Sequence, residues 1–316
     1  MPRRTFAFLA IACFLMLGAA ARADILDTPL PKAAWTRTIG TIRVEKFGTG
    51  TPALILLPGE SSGPWAFADT IVRESPAHAV YAITFPGFDG FPAGKDDTLD
   101  AVDLSLGLLI AAEKLDHPIL IGHSIGGTVA LRYGIEHSAS LGGVISVDGS
   151  PVAPFLQSAT PALRSDAAKQ FATVVLKDPP SKFSAEQTQE FDSYVTEPTL
   201  AAHVVSLVLH SDQKAVASYG HDFYTTDLRP QLPLLTVRTL LIVPVPAPPI
   251  PAYYPPQMSG MTPDERRTSV VAFYQSLMHG APSLTIAPVD SSRHFVMLDQ
   301  PAAFAALVDT FLAAPH

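Results

Sequence analysis

Residues 122–126 read Gly-His-Ser-Ile-Gly, a serine fenced by residues with almost no side chain, and Gly127 follows. A serine hydroxyl is a poor nucleophile until a base takes its proton. The chemistry that would use Ser124 is therefore acyl transfer through a covalent acyl-serine. Histidine titrates near neutral pH and suits the task of base. Of ten histidines, His294 alone follows a run that reads as the last strand and precedes one that reads as a closing helix. Glycines on either side of the serine remove Cβ atoms that would collide in a tight strand-to-helix turn. The N-terminus of the following helix would then aim amides at a developing oxyanion. Such a five-residue pattern also occurs in plain turns. Here an apolar run, 118–122, precedes it, and a helical pattern with Val129, Ala130, Leu131 and Tyr133 follows, which favours the chemical reading. His123 inside the turn reads as a packing or polar contact. His203 and His210 read as helix surface or pocket lining, and with no HExxH or other metal spacing neither a metal nor a cofactor is expected.

These side chains need a frame, and the chain supplies an alternation of short apolar runs with helical patterns. Residues 35–48 alternate like an antiparallel hairpin at a sheet edge. Runs at 53–57, 79–85, 118–122, 142–147, 238–243 and 283–289 read as strands, with helical patterns at 98–115, after Ser124 and at 300–312. The pattern predicts an α/β fold with a mostly parallel, eight-stranded sheet and helices on both faces. Between 151 and 237 the rhythm breaks into prolines, polar runs and helical stretches such as 184–195 and 199–210, which reads as an all-helical cap inserted between two strands. Residues 24–150 and 238–316 would then be the two parts of the core. The stretch 244–256 holds seven prolines in thirteen residues and reads as an extended loop, neither helix nor central strand. Thr262-Pro263-Asp264-Glu265 has the look of a capped helix start.

Composition narrows the function classes. Met-Pro-Arg-Arg, an apolar core and Ala21-Arg22-Ala23 read as a signal peptide over 1–23, cleaved after Ala23, which implies export to the periplasm or medium. The apolar run is shorter than the roughly 20 residues of a spanning helix, and a lipid anchor on Cys13 is disfavoured by Ala10 three residues before it. Cys13 is the one cysteine, so cleavage would leave no thiol for disulfides or nucleophilic catalysis. Losing Arg3, Arg4 and Arg22 lowers the basic count from 21 to 18 against 29 acids, a net charge near −11. That balance speaks against nucleic-acid partners. No later segment is apolar enough for a membrane span.

The motifs together resemble the α/β-hydrolase superfamily over about 52–150 and 238–314. Its nucleophile elbow is matched by Gly122–Gly127. Its oxyanion loop is matched by Leu56-Leu57-Pro58-Gly59-Glu60-Ser61-Ser62-Gly63-Pro64-Trp65, with Pro-Gly where His-Gly is frequent. Its histidine segment is matched by Arg293-His294-Phe295 and Asp299-Gln300-Pro301. The resemblance implies a triad with Ser124 as nucleophile and His294 as base. It implies oxyanion donors in the backbone amides of Ile125 and Glu60, with the Glu60 carboxylate turned away from the charge it would repel. The usual place for the acid, just past the strand at 238–243, holds prolines and no carboxylate. Asp148, one strand after the elbow, is the first choice, Asp264 the second, and Asp290 also stays open. Serine at the elbow excludes the dehalogenases and epoxide hydrolases of the superfamily, which attack with aspartate. The implied function is a carboxylesterase acting on a small ester-like molecule. Carbon–carbon bond hydrolases, lactonases and proline iminopeptidases share its elbow and cap, and a binding protein on a dead hydrolase fold is disfavoured by the presence of Ser124 and His294. Tyr253, Tyr254 and Phe155 are candidate pocket residues.

Overall fold

The computed structural model describes Leu26 and residues 29–314; the expected signal peptide lies outside the described residues. Eight strands make one sheet: β1 (Trp35–Ile39), β2 (Ile42–Phe47), β3 (Leu54–Leu57), β4 (Val80–Thr84), β5 (Ile119–His123), β6 (Gly143–Val147), β7 (Thr239–Val245) and β8 (Leu284–Asp290). Their order is β1-β2-β4-β3-β5-β6-β7-β8. The edge hairpin β1–β2 joins β4 antiparallel, and every pair from β4 onward is parallel. The fold is the expected α/β-hydrolase architecture.

The period of two along each strand divides the core into two layers. On β3, Ile55 and Leu57 share a cluster with Val102, Leu106 and Val129, whereas Leu54 and Leu56 share one with Ile71, Phe304 and Val308. Ile71 comes from α1 (Ala68–Glu74), Val102 and Leu106 from α2 (Leu99–Glu113) and Val129 from α3 (Ile125–His137), while Phe304 and Val308 come from the last helix of the chain. Strands β3 to β6 are buried along their whole length, which is why they read as unbroken apolar runs.

Between β6 and β7 come four helices, α4 (Pro161–Lys177), α5 (Pro180–Asp192), α6 (Pro198–Val208) and α7 (Gln213–Thr225). Three start with proline at a first-turn position, where its missing N–H is not needed. The carboxylates of Glu197 and Asp212 cap α6 and α7. At the base of this helical cap Val152 bridges to Asp227. Helices α8 (Pro263–Leu277), α9 (Val296–Asp299) and α10 (Pro301–Ala313) complete the chain, α8 with the capping box expected of Thr262 and Glu265.

One expectation is corrected. Strand β7 does not stop before the proline stretch but runs through Pro244 to Val245, although it lies inside the sheet. The pairing of β6 with β7 ends at Ile242, so from Val243 onward β7 has only β8 beside it. Pro244 therefore sits on a locally open edge, where proline is tolerated.

Candidate active site

Ser124 stands between the last residue of β5 and the first of α3, with φ +53° and ψ −122°. A left-handed φ is uncommon for serine, and such strain costs on the order of 1–3 kcal/mol and persists only where the surroundings enforce it. Here they do. The Ser124 amide donates to the Val147 carbonyl at 2.9 Å, tying the turn to β6. A Cβ on Gly122 would lie 2.2 Å from the Gly126 carbonyl oxygen, and one on Gly126 would lie 2.4 Å from those of Leu57 and Pro58. The glycines are thus what lets strand, helix and the loop after β3 meet behind one hydroxyl.

His294 follows β8 and sits on the loop before α9. Its Nδ1 is 2.5 Å from Asp148 Oδ2. Asp148 directly follows β6, has φ +48°, and donates its own N–H to the Ile242 carbonyl. Its other carboxylate oxygen accepts from the hydroxyl of Tyr274 on α8. A carboxylate acceptor at Nδ1 fixes the proton there and leaves Nε2 as the free base of the neutral ring. The other two acids are elsewhere: Asp264 is exposed in the first turn of α8, and Asp290 pairs with Arg267.

The rings of His123 and Tyr194 pack against His294, each centroid 4.6 Å from its own. His123 also reaches its backbone, Nε2 lying 3.0 Å from the His294 carbonyl oxygen, so Nε2 carries the donated proton. Burial and then the neighbouring His294 hold the His123 pKa well down, and the ring stays neutral. Below the loop, buried Asp299 accepts the N–H groups of Arg293 at 2.7 Å and of Thr196 at 2.8 Å, joining the histidine loop to the cap. Tyr274 and Tyr194 carry no sequence signal of their own, since each meets its partner across a chain separation that periodicity does not read. Asp299 is legible as part of the histidine segment, but its bonds to Arg293 and Thr196 are not.

The loop after β3 packs against the turn at Ser124 so closely that a Cβ on Gly59 would lie 2.6 Å from His123 Nδ1 and 3.2 Å from the Ser124 Cβ. Ile125 and Glu60 both border the space in front of Ser124. The Glu60 side chain corrects the expectation that it turns away. It faces the cavity, where burial, and then the charge of Glu190, push its pKa up to about 8. At neutral pH the carboxyl is mostly protonated, which removes the repulsion on which that expectation rested. The sign for stability follows. Below the ordinary value of 4.5 folded and unfolded chains both hold the proton, and between 4.5 and about 8 only the folded one does. Stability is therefore drawn down as pH rises through that window. Glu60→Gln, neutral at every pH, is expected to match the wild-type Tm near pH 4.5 and to exceed it by a margin that grows up to pH 8 and then levels. Thermal melts across that range check this; a constant margin would mean that the carboxyl is solvated.

Ser124, His294, Asp148, Ile125 and Glu60 all border one cavity of about 700 Å³ between sheet and cap. Tyr253, Tyr254 and Phe155 line it as well, while His203 and His210 do not. Residues 54–307 match the sequence profile of the alpha/beta hydrolase family. The chain belongs to that family. Among curated relatives, this hydrolase is 28% identical to a pimeloyl-(acyl-carrier protein) methyl ester esterase of Edwardsiella ictaluri over 197 residues, 61% of this chain and 74% of that one. In structure it is similar to an esterase from Exiguobacterium antarcticum, with TM-score 0.68 and 18% identity over 89% of this chain and 98% of the other. It is similar too to the enol-lactonase from Burkholderia xenovorans LB400, with TM-score 0.64 and 16% identity over 89% and 100%. At such identities the two structures speak for the fold alone. Among the described residues no helix is long and apolar enough to cross a membrane.

Proposed function

We propose that this hydrolase is an exported carboxylesterase working through an acyl-serine. Ser124 is the nucleophile, His294 the base and later the acid, and Asp148 the carboxylate that orients and stabilises His294. The observation that carries the reading is the 2.5 Å contact of Asp148 Oδ2 with His294 Nδ1, on the same cavity as the strained Ser124. With Nδ1 protonated, His294 Nε2 takes the proton of Ser124 as Oγ attacks the ester carbonyl. The amides of Ile125 and Glu60 hold the oxyanion. His294 then hands the proton to the departing alkoxide, and water repeats the sequence to release the acid. The methyl ester esterase among the relatives supports an ester as substrate. A fluorophosphonate probe tests the nucleophile: covalent mass on the Ser124 peptide is expected, and an unlabelled Ser124 would overturn the proposal. Turnover of p-nitrophenyl esters of graded chain length, set beside lactones, amides and carbon–carbon substrates, tests the bond. Esters are expected to lead, and the reading fails if another class does.

Export rests on residues 1–23 alone, with their cationic start, apolar core and Ala21-Arg22-Ala23. The expected mature N-terminus is Asp24. N-terminal sequencing of protein recovered from periplasm or medium checks it, and an intact Met1 or a lipid on Cys13 would contradict it.

A further inference from the structure

The cavity above Ser124 carries ionisable side chains of one dominant sign. Its walls include Glu60, Asp148, Glu186 and Glu190, and no lysine or arginine. Asp148 is taken by His294 and Tyr274, and Glu186 pairs with Lys182 at 3.0 Å. Glu60 and Glu190 remain. Glu190 Oε1 accepts from the Tyr194 hydroxyl at 2.6 Å, and the Tyr194 ring lies against His294, so this carboxyl stands one tyrosine away from the proposed base. Glu60 is half-buried at the cavity wall, and its carboxyl has no hydrogen bond or ion pair among the described residues, the backbone carbonyl alone accepting from Ser62 Oγ at 3.0 Å. Burial, and then the charge of Glu190, hold its proton, and no cationic side chain on the walls offsets them. Tyr224 lies close enough to both carboxyls that they help burial push its hydroxyl pKa up to about 12.

We propose that this part of the cavity receives a cationic group of the substrate, an alkylammonium, held by the Glu60 and Glu190 carboxyls and by the aromatic rings around them. The inference rests on the esterase reading and names its substrate class. An ammonium against a tyrosine face gains roughly 0.5–2 kcal/mol, the more so when desolvated. A carboxyl whose neighbours supply no positive charge is the group a bound cation would ionise. The same walls disfavour acyl groups that end in a carboxylate, because Glu190 repels such a group and no cationic side chain on the walls offsets it.

The test compares pairs of esters of equal shape: trimethylammonium compounds and their carbon isosteres, with tert-butyl in place of the cation. One pair carries the group on the alcohol, as in a choline ester, and the other on the acyl chain. In wild-type enzyme at least one pair is expected to favour the cation by about tenfold or more in kcat/KM. Neutral members that equal or beat the cationic ones in both pairs would overturn the proposal. That comparison needs no variant. Glu190→Gln and Glu60→Gln are then each expected to pull the ratio toward one. The ratio is read within a single protein, so a general loss of activity cancels. A preference unmoved when both are changed would also overturn the assignment. Labelled Ser124 with no preference for the cation sinks this inference alone, whereas unlabelled Ser124 sinks the esterase reading with it.

Discussion

Ser124→Ala is expected to leave a folded protein whose ester hydrolysis has fallen on the order of 10⁶-fold, the scale of removing a triad nucleophile. The fold should survive for a local reason. Ser124 occupies the N-cap position of α3, but its side chain caps no backbone N–H there. The strained turn is enforced by the Ser124 amide bond to Val147 and by the glycine contacts behind it, none of which uses the hydroxyl. Alanine therefore removes Oγ without removing a structural hydrogen bond, and Tm should move by no more than a few degrees. Turnover and a thermal melt on the same preparation check both halves. A folded variant with near wild-type kcat would disprove the proposed mechanism. One that has lost activity by unfolding would show that the hydroxyl is structural.

Why the elbow was legible in the sequence and its surroundings were not has a physical cause. A nucleophile elbow is local: strand, glycine, serine and helix are consecutive, so spacing alone describes them. The acid is not local. Asp148 lies 146 residues from His294, and only the proline-filled place after β7 pointed to it. Tyr274, 126 residues beyond Asp148, left no trace, because a tyrosine on a helix reads as core until its hydroxyl is seen on a carboxylate. Two expectations failed because a rule was applied without its condition. Proline was barred from β7 as a central strand, yet β6 ends before Pro244 and leaves an open edge. Glu60 was expected to turn outward as a carboxylate, yet burial keeps it largely a neutral acid, free to face the cavity. In both cases the missing quantity was a neighbour contributed by a distant part of the chain.

Asp148→Asn is where the geometry makes its sharpest demand. An amide has one acceptor and one donor where the carboxylate has two acceptors. Tyr274 donates its hydroxyl to Oδ1, and burial, with Asp148 beside it, keeps that hydroxyl protonated. Asparagine is thereby oriented with its oxygen on Tyr274 and its NH₂ toward His294 Nδ1. A donor at Nδ1 selects the wrong tautomer, with the proton on Nε2, and Ser124 loses its base. The expected loss is roughly 10³–10⁴-fold in kcat with the fold intact. Asp264→Asn, exposed at the start of α8, is expected to stay near wild type. The orientation step can itself be tested. Tyr274→Phe removes the hydroxyl that holds the amide, so in the double variant Asp148→Asn/Tyr274→Phe the asparagine is free to turn its oxygen to Nδ1 and restore the working tautomer. Part of the lost activity should return, making the pair strongly non-additive. If the double variant is as slow as Asp148→Asn or slower, Tyr274 does not set the amide's orientation. If Asp264→Asn proves the dead variant, the carboxylate beside His294 is not the one the reaction uses.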